Sequence, residues 1–193
     1  MRMQYFGDSY DIVKQSLLRW LSGFGDWSAH PMFTEDVSGD DVAAFEKLLA
    51  VTVISREVLT VDSNRVAYFA PASTCGHLLL DPDKGLRMRS MCGINAPEYL
   101  FASELVGLVK MRPAFLTIVF DQSIGRGSER SQVDGKLREL RNHHVYGFAY
   151  VSHACFLVAG TDRDLLVQAQ ARVITESLLP LNRFLPVYAT KVG

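Results

Sequence analysis

Cysteine is scarce in this chain. Only Cys75, Cys92 and Cys155 occur among 193 residues, widely spaced and odd in number. No C-x-x-C pair is present, which excludes the usual structural zinc patterns and a disulfide framework and leaves reduced thiols as the expectation. An excess of one charge sign is also lacking: 20 Lys and Arg oppose 21 Asp and Glu. No global basic field therefore announces a nucleic-acid binder, although a local basic face could still serve. No run of 18 apolar residues exists, so no membrane-spanning helix is expected. The first eight residues, Met1 to Asp8, lack the apolar core of a signal peptide, and a cytoplasmic location is the expectation. No repeat, linker or low-complexity stretch divides the chain, which predicts one domain over 1–193. A P-loop, an H-E-x-x-H helix and a Ser/His/Asp arrangement are all missing, which removes three common routes to catalysis.

What is present is an ordinary globular composition, 48% hydrophobic and 21% charged, organised around His77-Leu78-Leu79-Leu80-Asp81-Pro82-Asp83-Lys84-Gly85. An unbroken apolar run ending in turn residues suits a strand covered on both faces. Phe115 to Phe120 repeats the pattern and ends at Asp121. Helices are predicted over Tyr10–Ser22, from Asp40 (as the cap) to Ala50, from Pro97 through Val109, and from Ser128 to His143. A further helix to Ser177 would open with Thr161-x-x-Asp164 as a capping box. Strands are predicted over Trp27–Thr34, within Val51–Leu59, and over Val66–Ala70. Val145–Val151 and Ala154–Ala159 lie too close together for a crossover helix and should pair as an antiparallel hairpin. Alternating strands and helices give an α/β class: a Rossmann-like three-layer sandwich, mostly parallel, with an antiparallel C-terminal edge.

In such sheets ligands sit beyond the carboxyl ends of the strands. Asp81, Asp83 and Asp121 stand there, and neighbouring strands only about 4.8 Å apart would bring their carboxylates together. Asp8 and Asp11 join them if the first helix packs over the same edge. Such a cluster could bind Mg²⁺ or Mn²⁺ for phosphodiester hydrolysis, or hold the ribose and amino groups of a nucleotide-like cofactor. Lys84, Arg87, Arg126 and Arg130 would lie near the edge, where they could neutralise phosphates. Asp11 and Lys14, three apart, share a helix face and are expected to pair on an exposed stripe.

Gly7-Asp8-Ser9-Tyr10-Asp11-Ile12-Val13-Lys14 resembles the N-terminal Gly-Asn-x-Ala-Asp-x-x-Lys signature of the large-subunit ribosomal RNA adenine methyltransferases of the J type. Asp81-Pro82-Asp83 is similar to an altered form of that family's Asp-Pro-Pro-Tyr motif. The same two motifs resemble those of a broader group of uncharacterised bacterial proteins. The resemblance implies a methyltransferase-like fold that closes with an antiparallel strand, and S-adenosylmethionine as cofactor. It implies that Gly7, Asp8, Asp11 and Lys14 position the cofactor. It further implies a site around Asp81 and Asp83, to which the strand-end reading adds Asp121, that acts on a nucleic-acid or nucleotide amine, with Asp81 accepting a hydrogen bond from that amine. Two departures accompany it: no glycine follows the first strand before Gly39, and Asp83-Lys84 replaces Pro-Tyr. Two other readings stand beside it. One is a metal-dependent nuclease or phosphoesterase with Asp8, Asp81, Asp83 and Asp121 as oxygen ligands of Mg²⁺ or Mn²⁺. The other is a non-catalytic binding module on a degenerate methyltransferase fold.

Overall fold

The computed structural model describes residues 3–187; residues 1–2 and 188–193 of the expected domain lie outside them. Seven strands form the main sheet: β1 (Trp27–His30), β2 (Thr52–Val53), β3 (His77–Leu80), β6 (Thr117–Asp121), β7 (Tyr146–Val151), β8 (Cys155–Gly160) and β9 (Phe184–Leu185), in the order β2-β1-β3-β6-β8-β7-β9. Neighbours from β2 to β6 pair in parallel, and those from β6 to β9 pair antiparallel. Five strands thus run one way and two, β8 and β9, run against them. A separate parallel pair, β4 (Gly85–Arg87) and β5 (Tyr99–Phe101), sits beyond the carboxyl end of β6. The helices are α1 (Ser9–Leu21), α2 (Gly39–Leu49), the short α3 (Arg65–Tyr68), α4 (Ala102–Met111), α5 (Glu129–Asn142) and α6 (Arg163–Ser177).

Two cores separated by the sheet hold these layers together. Leu79, Ile118, Phe120, Phe156 and Val158 face α1, α2 and α6, which contribute Leu17, Phe45 and Leu166. Leu78, Leu80, Val119 and Leu157 face α3, α4 and α5, which contribute Tyr68, Leu105 and Leu137. Successive strand residues point to opposite faces, so strands with consecutive apolar side chains, as at Leu78–Leu80 and Ile118–Phe120, must be interior. Both β3 and β6 are, with burial at every residue. Each fully buried Leu or Phe contributes about 1.5–3 kcal/mol, which anchors these two strands as the centre of the sheet.

Several elements differ from the sequence expectation for local reasons. Residues 65–68 form helix, not strand, because the Asn64 carboxamide accepts from the amides of Val66 and Ala67 at 3.1 and 3.2 Å. The strand predicted to Thr34 stops at His30, where Pro31 cannot donate to a ladder. The helix predicted from Pro97 begins at Ala102 instead, since Tyr99–Phe101 find a strand partner in β4. Ser38 rather than Asp40 caps α2, in a capping box with Asp41, and Asp162 rather than Thr161 caps α6. The antiparallel hairpin is present, and β9 adds one further short strand outside it.

His30 makes the fold acid-sensitive. It is fully buried at the end of β1, its Nε2 3.2 Å from the Tyr68 carbonyl. Burial lowers its pKa to about 4, against the smaller raising effect of the Tyr68 bond. The unfolded chain therefore binds a proton near pH 6.5 that the native state refuses. The corresponding stability is fully present above pH 6.5 and is lost as the pH falls toward 4, in total roughly 3 kcal/mol. Urea midpoints are expected to fall between pH 6.5 and 5, before most carboxylates titrate. A His30→Phe variant should flatten that limb, and an unchanged slope in the variant would refute the assignment.

Candidate functional site

The start of α1 is locked onto the carboxyl ends of β3 and β6 by a chain of short-range bonds. Asp8 caps the helix, its Oδ1 accepting from the amides of Tyr10 at 2.8 Å and Asp11 at 3.1 Å. Gly7 turns into the cap at φ +81°, a conformation that glycine reaches without Cβ strain. Its amide donates to Asp11 Oδ2 at 2.8 Å. One helical turn on, Lys14 shares the face of Asp11 and donates to Asp11 Oδ1 at 2.8 Å. The same ammonium donates to Asp81 Oδ2, also at 2.8 Å. The expected Asp11–Lys14 pair thus forms, but not on an exposed stripe: both are at least 96% buried, as is Asp81.

Three charged groups out of water are costly unless each is paired. Burial alone would lower the Lys14 pKa, but the carboxylates of Asp81 and Asp11 outweigh it and hold the ammonium above the ordinary lysine value. Burial pushes the Asp81 carboxyl up, with Lys14 pulling it back. The ammonium also lies 4.5 Å from the centre of the Phe120 ring, which packs against Tyr10 and Phe156, each at 5.2 Å between centroids. Lys14 is therefore held in one position by two ions and an aromatic face.

A cavity of about 550 Å³ opens over this cluster. Asp8, Asp11, Lys14, Asp81 and Asp83 line it, together with Tyr5, Tyr10, Pro82, Lys84, Glu98, Phe120 and Gln122. The Lys84 ammonium pairs with Glu98 at 2.5 Å, joining the start of β4 to the residue before β5. Gly7 supports the wall from behind and is not part of the lining.

Asp121 does not join the cluster. Leu80 lies opposite Val119 in the β3–β6 register, so the next residues, Asp81 and Phe120, share one face and Asp121 falls on the other. There its Oδ1 accepts from the amides of Leu86 and Ser123 and from the Ser123 hydroxyl, and its Oδ2 accepts from Lys136 at 2.6 Å. It ties β4 and α5 to the sheet. Strand-end position was visible in the sequence, but the parity between two strands was not, because it depends on their register.

The metal-dependent reading needs Asp8, Asp81, Asp83 and Asp121 around one ion. Asp121 is on the wrong face, Asp8 is engaged as a helix cap, and the Lys14 ammonium already stands between Asp11 and Asp81. Among the described residues, no group of three or more His, Cys, Asp or Glu is placed to hold a metal ion. Sequence reasoning also missed several wall residues. Phe120 was recoverable, since it precedes a strand-ending acid and must point opposite to it. Tyr5 and Glu98 carried no local signal.

The structure bears on location only through one property: among the described residues no helix is long and apolar enough to cross a membrane. No protein-family model matches the chain, and comparison with curated proteins finds no match.

Proposed function

We propose that this cavity binds S-adenosylmethionine and that the protein is a methyltransferase-like enzyme acting on an amine of a nucleic acid or nucleotide. The observation that carries the reading is Asp81, which leaves the carboxyl end of β3 at the wall of the cavity with one oxygen fixed by Lys14. The position is a topological switch point: from β1 the chain passes to β2 on one side, while β3 lies on the other. Open α/β sheets bind ligands at such points. The volume falls within the 300–1,000 Å³ of typical small-molecule sites. A wall rich in carboxylates with aromatic rings suits a cationic adenosyl compound, whose ribose hydroxyls and amino groups are donors. The antiparallel β8 beside β6 accords with the closing strand that the resemblance implies.

The cofactor, when bound, supplies an electrophilic methyl group. The chain's part is positional. Lys14 fixes the Asp81 rotamer, so that the carboxylate can accept from the target amine and orient its lone pair. Asp11 acts through Lys14 and Gly7, both of its oxygens being already engaged with them. Asp83, on the same wall, sits beside the substrate position and needs no charge for this role. A binding module on a degenerate methyltransferase fold is the second reading. It is favoured by the turn after β1, where Met32, its side chain buried in the core, takes φ +51° in place of a glycine.

Titration calorimetry with S-adenosylmethionine tests the proposal. Binding by the wild type and by Asp83→Asn is expected. Asp81→Asn, with its fold checked by circular dichroism, should keep binding while losing methyl transfer to a nucleic-acid pool by about 100-fold or more. Absence of cofactor binding at millimolar concentration would overturn the enzymatic reading, and binding without any transfer would favour the module.

A further inference from the structure

We infer that the connection from β4 to β5 engages duplex nucleic acid, with Arg87 and Arg89 on backbone phosphates and Ile94 as an apolar wedge between base pairs. The inference rests on reading the cavity as a site for a nucleic-acid amine, because a base inside a duplex must leave the stack to reach such a pocket. β4 and β5 are parallel, so the chain must travel back from Arg87 to Tyr99, and it does so through residues 88–98. Leu86 to Asn95 contains two arginines and no acid, in a chain whose net charge is only −1. Both arginines are exposed, and among the described residues neither pairs with a carboxylate.

Arg87 lies with its guanidinium carbon 4.8 Å from the centre of the Tyr99 ring, a ring that the Lys84 ammonium also approaches at 5.9 Å. Its one side-chain bond is to the Met91 sulfur, a weak acceptor that leaves donors for phosphate. The segment then presents Ile94 with 86% of its surface exposed. Four residues later it returns at Glu98, on the cavity wall. An isoleucine this exposed has no packing role in the monomer. Following two arginines in the chain and four residues before the cavity-wall Glu98, it matches the apolar wedges that unstack base steps, which are accompanied by phosphate-binding cations. Two exposed arginines without a carboxylate partner among the described residues, beside an apolar tip, complement a continuous phosphate backbone, so charge complementarity favours nucleic acid.

The test uses the full chain and fluorescently labelled mixed-sequence duplexes of about two helical turns, in RNA and DNA versions, with the matching single strands. Wild type is expected to bind the duplexes at low salt, with affinity falling steeply as salt rises; the RNA and DNA arms identify the sugar. Arg87→Gln with Arg89→Gln should weaken binding about tenfold or more and reduce the magnitude of the log–log salt slope by about 2. Ile94→Ser should weaken duplex binding about fivefold and leave single-strand binding unchanged. No duplex binding by wild type, an unchanged salt slope in the arginine variant, or equal duplex affinity in the Ile94 variant would each overturn the inference. Calorimetry with S-adenosylmethionine on the same samples separates the two ideas. Duplex binding as described without cofactor binding defeats the proposed chemistry and leaves the wedge standing, and the reverse result defeats the wedge alone.

Discussion

Lys14→Met is expected to be the most damaging single substitution in the amino-terminal helix. Methionine conserves the stem and keeps contact with Phe120, but it removes the one cation between two buried carboxylates. Breaking a buried ion cluster from one side costs about 3–5 kcal/mol, because the remaining charges have lost both water and partner. For a chain of this size that corresponds to a melting temperature lower by roughly 10 °C. The loss carries a pH signature. With Lys14 gone, its pull no longer offsets the burial that already pushes the Asp81 carboxyl up, so its folded pKa lies further above the unfolded one. The penalty is then largest at neutral pH and shrinks as the pH falls through the raised value. Asp11→Asn and Asp81→Asn added to Lys14→Met should recover much of the stability at pH 7. A Lys14→Met protein as stable as wild type at pH 7 would show that the cluster is not buried in solution.

Gly85→Ala is the second large effect, and it acts through Asp121. Gly85 has φ +118°, which L-residues rarely adopt, and a Cβ there would overlap the Asp121 carboxylate and lie 2.8 Å from both the Asp121 Cα and the Gln122 amide nitrogen. Two of those three are backbone and cannot rotate away. Strain at a glycine-only conformation and overpacking each cost about 1–3 kcal/mol, so roughly 4 kcal/mol is expected together. The damage should also reach the cavity, because Lys84 on its wall precedes Gly85 and accepts from the Gln122 amide through its carbonyl at 3.2 Å. Thermal unfolding of Gly85→Ala against the neighbouring exposed Arg87→Ala separates local strain from any general sensitivity of β4. A shift of less than about 2 °C for Gly85→Ala would contradict the packing described.

The difference between these two residues reflects what kind of information each needed. The sheet's centre was legible because Leu78–Leu80 and Ile118–Phe120 are buried on both faces, and two-sided burial demands apolar residues without alternation. A cap for α1 at Asp8 or Ser9 is readable from the sequence because capping is a contact over three residues, and the structure uses Asp8. The antiparallel hairpin was legible because three residues between strands leave no room for a crossover. Residues 99–101 were not, since their strand state exists only through Gly85–Arg87, a partner of equally short and irregular sequence.

The candidate site divides in the same way. From the sequence alone, Asp81 and Asp121 are both strand-ending acids, and Asp11 and Lys14 are one turn apart on a helix. Local spacing can establish no more than that, because each statement concerns residues joined by a few bonds of chain. The register of β3 against β6, with Leu80 opposite Val119, sent Asp81 toward α1 and Asp121 toward Lys136. The packing of α1 on the sheet then turned a helix-surface pair into a buried triad. Register and helix docking are set by the summed burial of two whole cores, and no window of sequence contains that sum.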